Sequence, residues 1–410
     1  MTATTAPSPA SGWRTPLIVI LAGCLIAMIG FGIRSIFGLL LEPMTVERGW
    51  DRETFGLAMA IQNLLWGLGV PIAGAIADRF GPARVLAFGA VVYAIGVWGM
   101  AGAESVTALH LFGGVLTGIG VAFTAFSLAM AAMAKVVGPE RRSLALGLGT
   151  AAGSFGQVVF SPLGQGFIEA YGWNSALLIM AASTLIIIPL ALALPNNTQG
   201  KGEPISNQSL GEALKEARGH RGFVLLTVGF FVCGFHVAFI TVHFPSYIRD
   251  LGLDAAVGAV ALALIGLFNI IGSVISGAAG QRWSKKCGLS SIYFLRAIVI
   301  AALLLAPKTE LTIYLFAGAM GLLWLSTVPL TTGIVAQVFG VKYMATLFGL
   351  VFLSHQLGSF AGIWLGGYLY DTVGSYDGVW WAGVVLGLLA TAIHLPIDEK
   401  PLARLAPAAA

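Results

Sequence analysis

The sequence predicts an all-α membrane protein of twelve transmembrane helices in two pseudo-symmetric six-helix bundles. Three observations carry that prediction. Apolar residues fill 57% of the 410 positions and charged residues only 10%, with a mean hydropathy of +0.88. A soluble core cannot bury so much apolar surface, whereas lipid accepts it. Apolar runs near the ~20 residues that cross a bilayer recur twelve times along the chain. Finally, the second half repeats landmarks of the first at a nearly constant offset.

In chain order the runs fall near 16–41, 54–77, 83–103, 107–134, 143–168 and 173–195, then 222–248, 256–281, 289–306, 311–335, 344–370 and 376–396. Basic residues set their orientation. With the first helix entering from the cytoplasm, cytoplasmic segments carry Arg14, Arg79, Arg84, Lys135, Arg141, Arg142, Lys201, Lys215, Arg218 and Arg221. Arg282, Lys285, Lys286, Lys342, Lys400 and Arg404 bring that set to sixteen of the 22 basic residues. The opposite loops hold Arg48, Arg52, Arg249 and Lys308. Cytoplasmic loops carry the excess of Lys and Arg, so both termini are expected in the cytoplasm. Arg34 and Arg296 remain, inside spans.

Residues 1–15, rich in Ala, Ser, Thr and Pro, read as a disordered cytoplasmic tail and lack the pattern of a removable signal peptide. The N-terminal bundle is expected over 16–195 and the C-terminal bundle over 222–396, with a cytoplasmic linker at 196–221 and a tail at 397–410. Within the linker, Ser209-Leu-Gly-Glu212 has the spacing of a capping box and opens a short surface helix through Arg218. Cys24, Cys233 and Cys287 are scattered and suggest neither a disulfide framework nor a metal site. The net charge of +4 follows from topology and calls for no nucleic-acid partner.

At an offset of 202, Gly147, Gly156, Gly164, Glu169 and Gly172 match Gly349, Gly358, Gly366, Asp371 and Gly374. Pro43 and Gly56 match Pro245 and Gly258 at the same offset. One glycine match among 54 glycines means nothing, but several in one register on three helix pairs indicate a repeat. Two parallel six-helix repeats form a transport architecture with the site between them near the midplane.

One stretch is more specific: Gly74-Ala-Ile-Ala-Asp78-Arg79-Phe80-Gly81-Pro82-Ala83-Arg84. It resembles the signature between helices 2 and 3 of the major facilitator superfamily. The resemblance implies that Gly74, Asp78, Arg79 and Arg84 gate the inward-closed state by engaging neighbouring helix ends. A carboxylate is favoured near helix N-termini, and a glycine allows close helix approach. The second-half copy, Gly277-x-x-x-Gln281-Arg282, keeps Arg282 but has an amide for the acid, so a weaker gate is expected. A charged loop obeying the orientation rule is the plainer reading. Within the superfamily, Gly30-Phe-Gly-Ile-Arg34-Ser-Ile-Phe37-Gly38-Leu-Leu-Leu-Glu-Pro43, followed by Gly49-Trp50-Asp51-Arg52, resembles the monocarboxylate and oxalate–formate branch.

A charge at the centre of a span costs roughly 2.5–3.5 kcal/mol, so each one needs a reason. All eighteen acidic residues map to tails, loops or span ends, so the buried carboxylate common in proton-coupled carriers of cationic drugs is missing. Five interior residues are basic or can become so: Arg34, His236, His243, Arg296 and His355. An interior of one sign invites a substrate of the other, here an anion. Arg34 and His236 share one position in the two halves and are expected to face each other across the cavity, Arg34 offering bidentate contacts to a carboxylate. The alternative for Arg34 is to snorkel outward or bind a helix-end carbonyl. Histidine changes charge near neutral pH, making His236, His243 and His355 the candidates for proton coupling. For each, a neutral ring bonded to backbone is the ordinary alternative. Arg296 either reaches the cavity or braces the bundle by bonding carbonyls.

Relatives in the monocarboxylate branch carry a substrate-binding arginine on helix 8, where this chain has Asn269 and Ser273. Asn269, Gln157 and Trp324 join Arg34, His236, His355 and Arg296 as candidate substrate contacts, although interhelical hydrogen bonding is equally ordinary for such polar residues. Gly358, Gly362 and Gly366 read as a close-packing stripe. Phosphate-binding loops, nucleophile motifs and paired catalytic carboxylates are absent, so no enzyme activity and no cofactor are expected. The expected protein is a secondary transporter of a small, monocarboxylate-like organic anion, with proton symport or anion exchange. It is expected to act as a monomer in a bacterial inner membrane, with the lipid bilayer its other partner. The competing readings are an efflux carrier for an amphipathic drug or natural product, and a transport-derived sensor or lipid scaffold.

Overall fold

Helix starts follow local capping chemistry. Thr15 accepts a hydrogen bond from the Ile18 N–H while Pro16 occupies the first turn, where no N–H is needed. Asp254, Ser284 and Thr309 open later helices in the same way. The computed structural model describes residues 14–136, 142–195, 208–340 and 343–405. Among the described residues eleven apolar segments are long enough to cross a membrane, and the longest, Gly147–Leu192, is broken at Gly172 by a positive φ of 80°. Split there, the segments are twelve. Gly374, the repeat mate of Gly172, also has a positive φ (75°), but its ψ of 14° against 160° makes a different turn, so the repeat extends to the need for glycine and not to the turn itself.

The spans are α1 (Pro16–Arg48), α2 (Arg52–Phe80), α3 (Pro82–Ala101), α4 (106–136), α5 (142–171) and α6 (173–192). The second half comprises α7 (Arg221–Asp250), α8 (Ala255–Arg282), α9 (Lys285–Leu305), α10 (Glu310–Phe339), α11 (Met344–Val373) and α12 (Asp377–His394). Because twelve crossings return the chain to its starting side, α1 begins and α12 ends on one face, the terminal face. Between the halves a short helix, Leu210–Gly219, starts with a complete capping box formed by Ser209 and Glu212. The segment after α12 packs back on it: Arg404 Nη2 donates to Glu216 Oε2 at 2.7 Å. This bond holds the Glu216 carboxyl below its usual range. Of the expected N-terminal tail, residues 1–13 lie outside the described chain.

Lipid supplies no hydrophobic force between helices, so close approach depends on small residues. The glycine stripe of α11 does this: Gly358 and Gly362 lie against the carbonyls of Phe231 and Phe235 on α7. Between the halves, α2 packs along α11 and α5 along α8. There Gly266 of α8 lies on the Ser154 carbonyl of α5, and Gly38 of α1 on the Thr241 carbonyl of α7.

α10 is not continuous. Its helical geometry lapses over Trp324–Ser326, leaving two half-helices, Glu310–Leu323 and Thr327–Phe339. Irregular backbone at membrane depth is tolerated where protein satisfies it. Arg296 of α9 donates to the Leu323 carbonyl at 2.7 Å and to the Trp324 carbonyl. From α8, Asn269 Oδ1 accepts the Leu325 N–H at 3.0 Å and the Ser276 hydroxyl donates to the Ser326 carbonyl.

Candidate functional site

Between the halves lies a cavity that leaves about 100 Å³ for the centres of water-sized molecules. Its walls come from the middles of α1, α2, α7 and α10, the middle and inner parts of α5 and α11, and Phe126 of α4. Thr150 and Phe348, toward the terminal-face starts of α5 and α11, show that its lining extends toward that face.

The opposite face is closed. Arg52 of α2 grips Asp250 of α7 with two parallel bonds, at 2.6 and 2.7 Å, and its Nη1 also donates to the Tyr376 hydroxyl at 2.9 Å. Its guanidinium lies 3.7 Å from the centroid of the Tyr370 ring. Asp371 of α11 accepts the backbone N–H groups of Arg52 and Glu53, the first turn of α2, where a carboxylate is most favoured. Trp364 donates to Glu53 at 2.9 Å, and Arg249 pairs with Glu42 at 2.8 Å. Each of these contacts joins one half to the other.

The terminal face differs. Gly74 has open space where a side chain would project, and so do Gly147 and Gly349. Arg79, Arg84 and Arg282 are exposed, and among the described residues no carboxylate pairs with them. The side chain of Asp78, the expected gate acid, lies outside the described set. Among the described residues, the ion pairs and hydrogen bonds that join the halves at a membrane face therefore all lie on the closed face.

Arg34 is a cationic wall of the cavity. Its Nη2 donates to Asn63 Oδ1 at 2.5 Å, and its guanidinium lies 4.5 Å from the Trp66 ring centroid. Asn63 is itself oriented by donating to the Met59 carbonyl at 2.8 Å. This arrangement fixes one edge of the guanidinium and leaves the rest of its donors without a partner among the described residues. Among the described residues no acidic side chain lines the cavity. Gln157, Trp324 and His355 line it as well. His355 lies flat on Phe352, with centroids 5.5 Å apart, and its Nδ1 is 3.5 Å from the Ser359 hydroxyl.

The other expected contacts lie elsewhere. His236 is buried and turned to α12, where its Nε2 meets the Gly383 carbonyl at 2.8 Å, in space left by Gly383 and Gly387. It does not face Arg34, because α7 presents Phe230, Val237, Ala238 and Thr241 to the cavity, one residue out of step with α1. His243 is enclosed near the closed face, its Nε2 at 2.8 Å from the Ile363 carbonyl and its Nδ1 at 3.2 Å from the Tyr376 hydroxyl. Arg296 is fully buried at the α10 break and Asn269 donates to Ser154 Oγ at 2.9 Å; neither lines the cavity.

A family model described as "Major Facilitator Superfamily" matches residues 22–363. The chain belongs to the major facilitator superfamily. Among curated members, it is 26% identical to monocarboxylate transporter 13 of Bos taurus, over 89% of this chain and 85% of the relative. It is 23% identical to the oxalate:formate antiporter of Oxalobacter formigenes, over 88% of this chain and 87% of that one. Among solved structures, a bacterial homologue of the human lysosomal transporter Spinster, in an inward-facing and unoccupied conformation, superposes with a TM-score of 0.76 at 16% identity. That superposition covers 94% of this chain and 97% of the other.

Two features of the site of this major facilitator protein are not apparent from its sequence alone. One is the row of aromatic rings on the cavity wall, among them Phe31, Trp66, Phe230 and Phe352. The other is the Arg52–Asp250–Tyr376 lock. Its one available signal was that the motif ending in Arg52 and the repeat-matched Asp371 both sit at helix ends on the same face.

Proposed function

We propose that this major facilitator protein moves a small organic anion, a monocarboxylate, by alternating access, coupled to a proton or to exchange of a second anion. The observation that carries the reading is Arg34: a guanidinium on the wall of a cavity without acidic lining, with its remaining donors unclaimed. A half-buried guanidinium with donors facing the cavity favours an anionic partner, and a carboxylate is the group that meets its fork geometry. The monocarboxylate and oxalate:formate relatives support the same class of cargo.

On this reading Gln157, Trp324 and His355 contact the substrate, and His355 is the residue placed to exchange a proton beside it. Arg296 and Asn269 act on the substrate indirectly, by holding the α10 break that carries Trp324. The basic-residue count puts the terminal face in the cytoplasm, so the open cavity is an inward-facing state in a bacterial inner membrane. Asp78, Arg79 and Arg84 then belong to the gate that shuts this face when the lock on the other side opens. A neutral or cationic drug carrier fits less well, because Arg34 would repel a cation and gain nothing from a neutral ligand.

The test is uptake of labelled monocarboxylates by proteoliposomes. Wild-type vesicles should accumulate the anion, and Arg34→Gln, incorporated to the same level, should lose at least nine-tenths of the flux. Equal anion flux in the variant would overturn the assignment of Arg34.

A further inference from the structure

The cavity wall carries more information than its one charge. Phe126 and Phe31 meet edge to face at 6.0 Å, Phe31 and Trp66 at 6.3 Å, and Trp66 meets Phe352 at 5.4 Å. From Phe352 the row continues through His355, stacked at 5.5 Å, to Phe230 at 5.1 Å from the imidazole. The row crosses the molecule: Trp66 belongs to α2 of the first half and Phe352 to α11 of the second. Arg34 lies against the face of Trp66, so the charged donor and the aromatic row form one continuous surface.

We infer that the site selects a monocarboxylate with a flat apolar body, of the aryl-acetate or aryl-carboxylate type, in preference to a small hydroxy acid or a dicarboxylate. The inference rests on the anion reading above and adds to it the shape and polarity of the remainder of the substrate. A carboxylate on the free edge of Arg34 directs whatever it carries along Trp66 toward Phe352. Rings at these separations accept another ring edge-on or offset, the arrangements aromatic groups prefer. A hydroxy acid would leave that wall uncovered. A dicarboxylate would set its second charge along the aromatic row, where the described wall offers no second guanidinium and only the His355 imidazole. Since the row is shared by both halves, a ring lying along it touches both, and its binding is sensitive to their relative position. A ligand shifts a conformational equilibrium only through such a difference between states.

Binding of phenylacetate, lactate, oxalate and phenylacetamide to the full-length protein in nanodiscs, measured by calorimetry, tests the inference. Burying a phenyl ring should make phenylacetate bind about 10- to 100-fold more tightly than lactate, with oxalate weaker than phenylacetate. Trp66→Leu should collapse the phenylacetate-to-lactate ratio, and Trp66→Phe, which keeps an aromatic face, should restore most of it. Lactate or oxalate binding as tightly as phenylacetate would overturn the inference and leave the anion reading intact. Phenylacetamide binding as tightly as phenylacetate would instead overturn the anion reading, because the amide keeps the ring and lacks the charge.

Discussion

Removing the Arg52 side chain should unlock the closed face. Arg52 and Asp250 retain 12% and 27% of their side-chain exposure, so the pair is only partly open to solvent and is screened less than a surface pair. Charge-assisted bonds contribute roughly 1.5–3 kcal/mol, and the Tyr370 stacking about 0.5–1 kcal/mol. Part of this returns when the freed groups rehydrate, leaving about 2–3 kcal/mol in favour of closure. At 1.4 kcal/mol per factor of ten, Arg52→Ala should shift the closed-to-open ratio by roughly 30- to 140-fold. Spin labels at Val46 and Val373, 75% and 72% exposed near the closed face, report that ratio as a distance distribution. Cys24 and Cys287 would be replaced and the buried Cys233 left in place. Wild type should give a short population, and Arg52→Ala and Asp250→Asn a substantial longer one. Superimposable distributions in all three proteins would refute the lock.

Gly38→Ala should act in the same direction, because a Cβ there would clash with the Thr241 carbonyl oxygen and force the halves apart; the same labels read it. Arg296→Lys keeps the charge but loses the planar fork, leaving a carbonyl at the α10 break unmet. Thermal unfolding should show a loss of about 1–3 kcal/mol, and an unchanged midpoint would contradict the bracing role. His355→Gln, which removes a cavity-lining side chain, should reduce substrate uptake severalfold, whereas His236→Gln should change it little, since that ring is turned to the Gly383 carbonyl of α12. The Glu216–Arg404 contact lowers the carboxyl's folded-state pKa, so its small stabilisation is present above the ordinary carboxylate range and lost as pH falls through the lowered value. Hydrogen exchange in Leu210–Gly219 should therefore quicken, relative to intrinsic rates, only in acid.

The frame was legible because lipid imposes it: apolar length gives the spans, and the repeated glycines give the halves. Arg34 was legible too, since a charge in mid-span is rare enough to point at a role. The facing direction of His236 was not. Nearly every residue of α7 from Gly229 to Ile248 is buried, so no polar face reveals which side meets the cavity. The lock was hidden for a different reason. Arg52 and Asp250 are 198 positions apart, and each alone resembles an ordinary charge at a helix end. Their pairing appears only when the two halves are packed together. The aromatic row shares that difficulty, because in so apolar a chain a phenylalanine facing the cavity reads like one facing lipid.

Whether a carboxylate binds at Arg34 can be seen in a structure of the protein with a bound aryl carboxylate. Its carboxylate oxygens should lie within hydrogen-bonding distance of Arg34, with the ring along Trp66 and Phe352. A carboxylate held away from Arg34, or a ring outside the aromatic row with the charge at another residue, would contradict this arrangement.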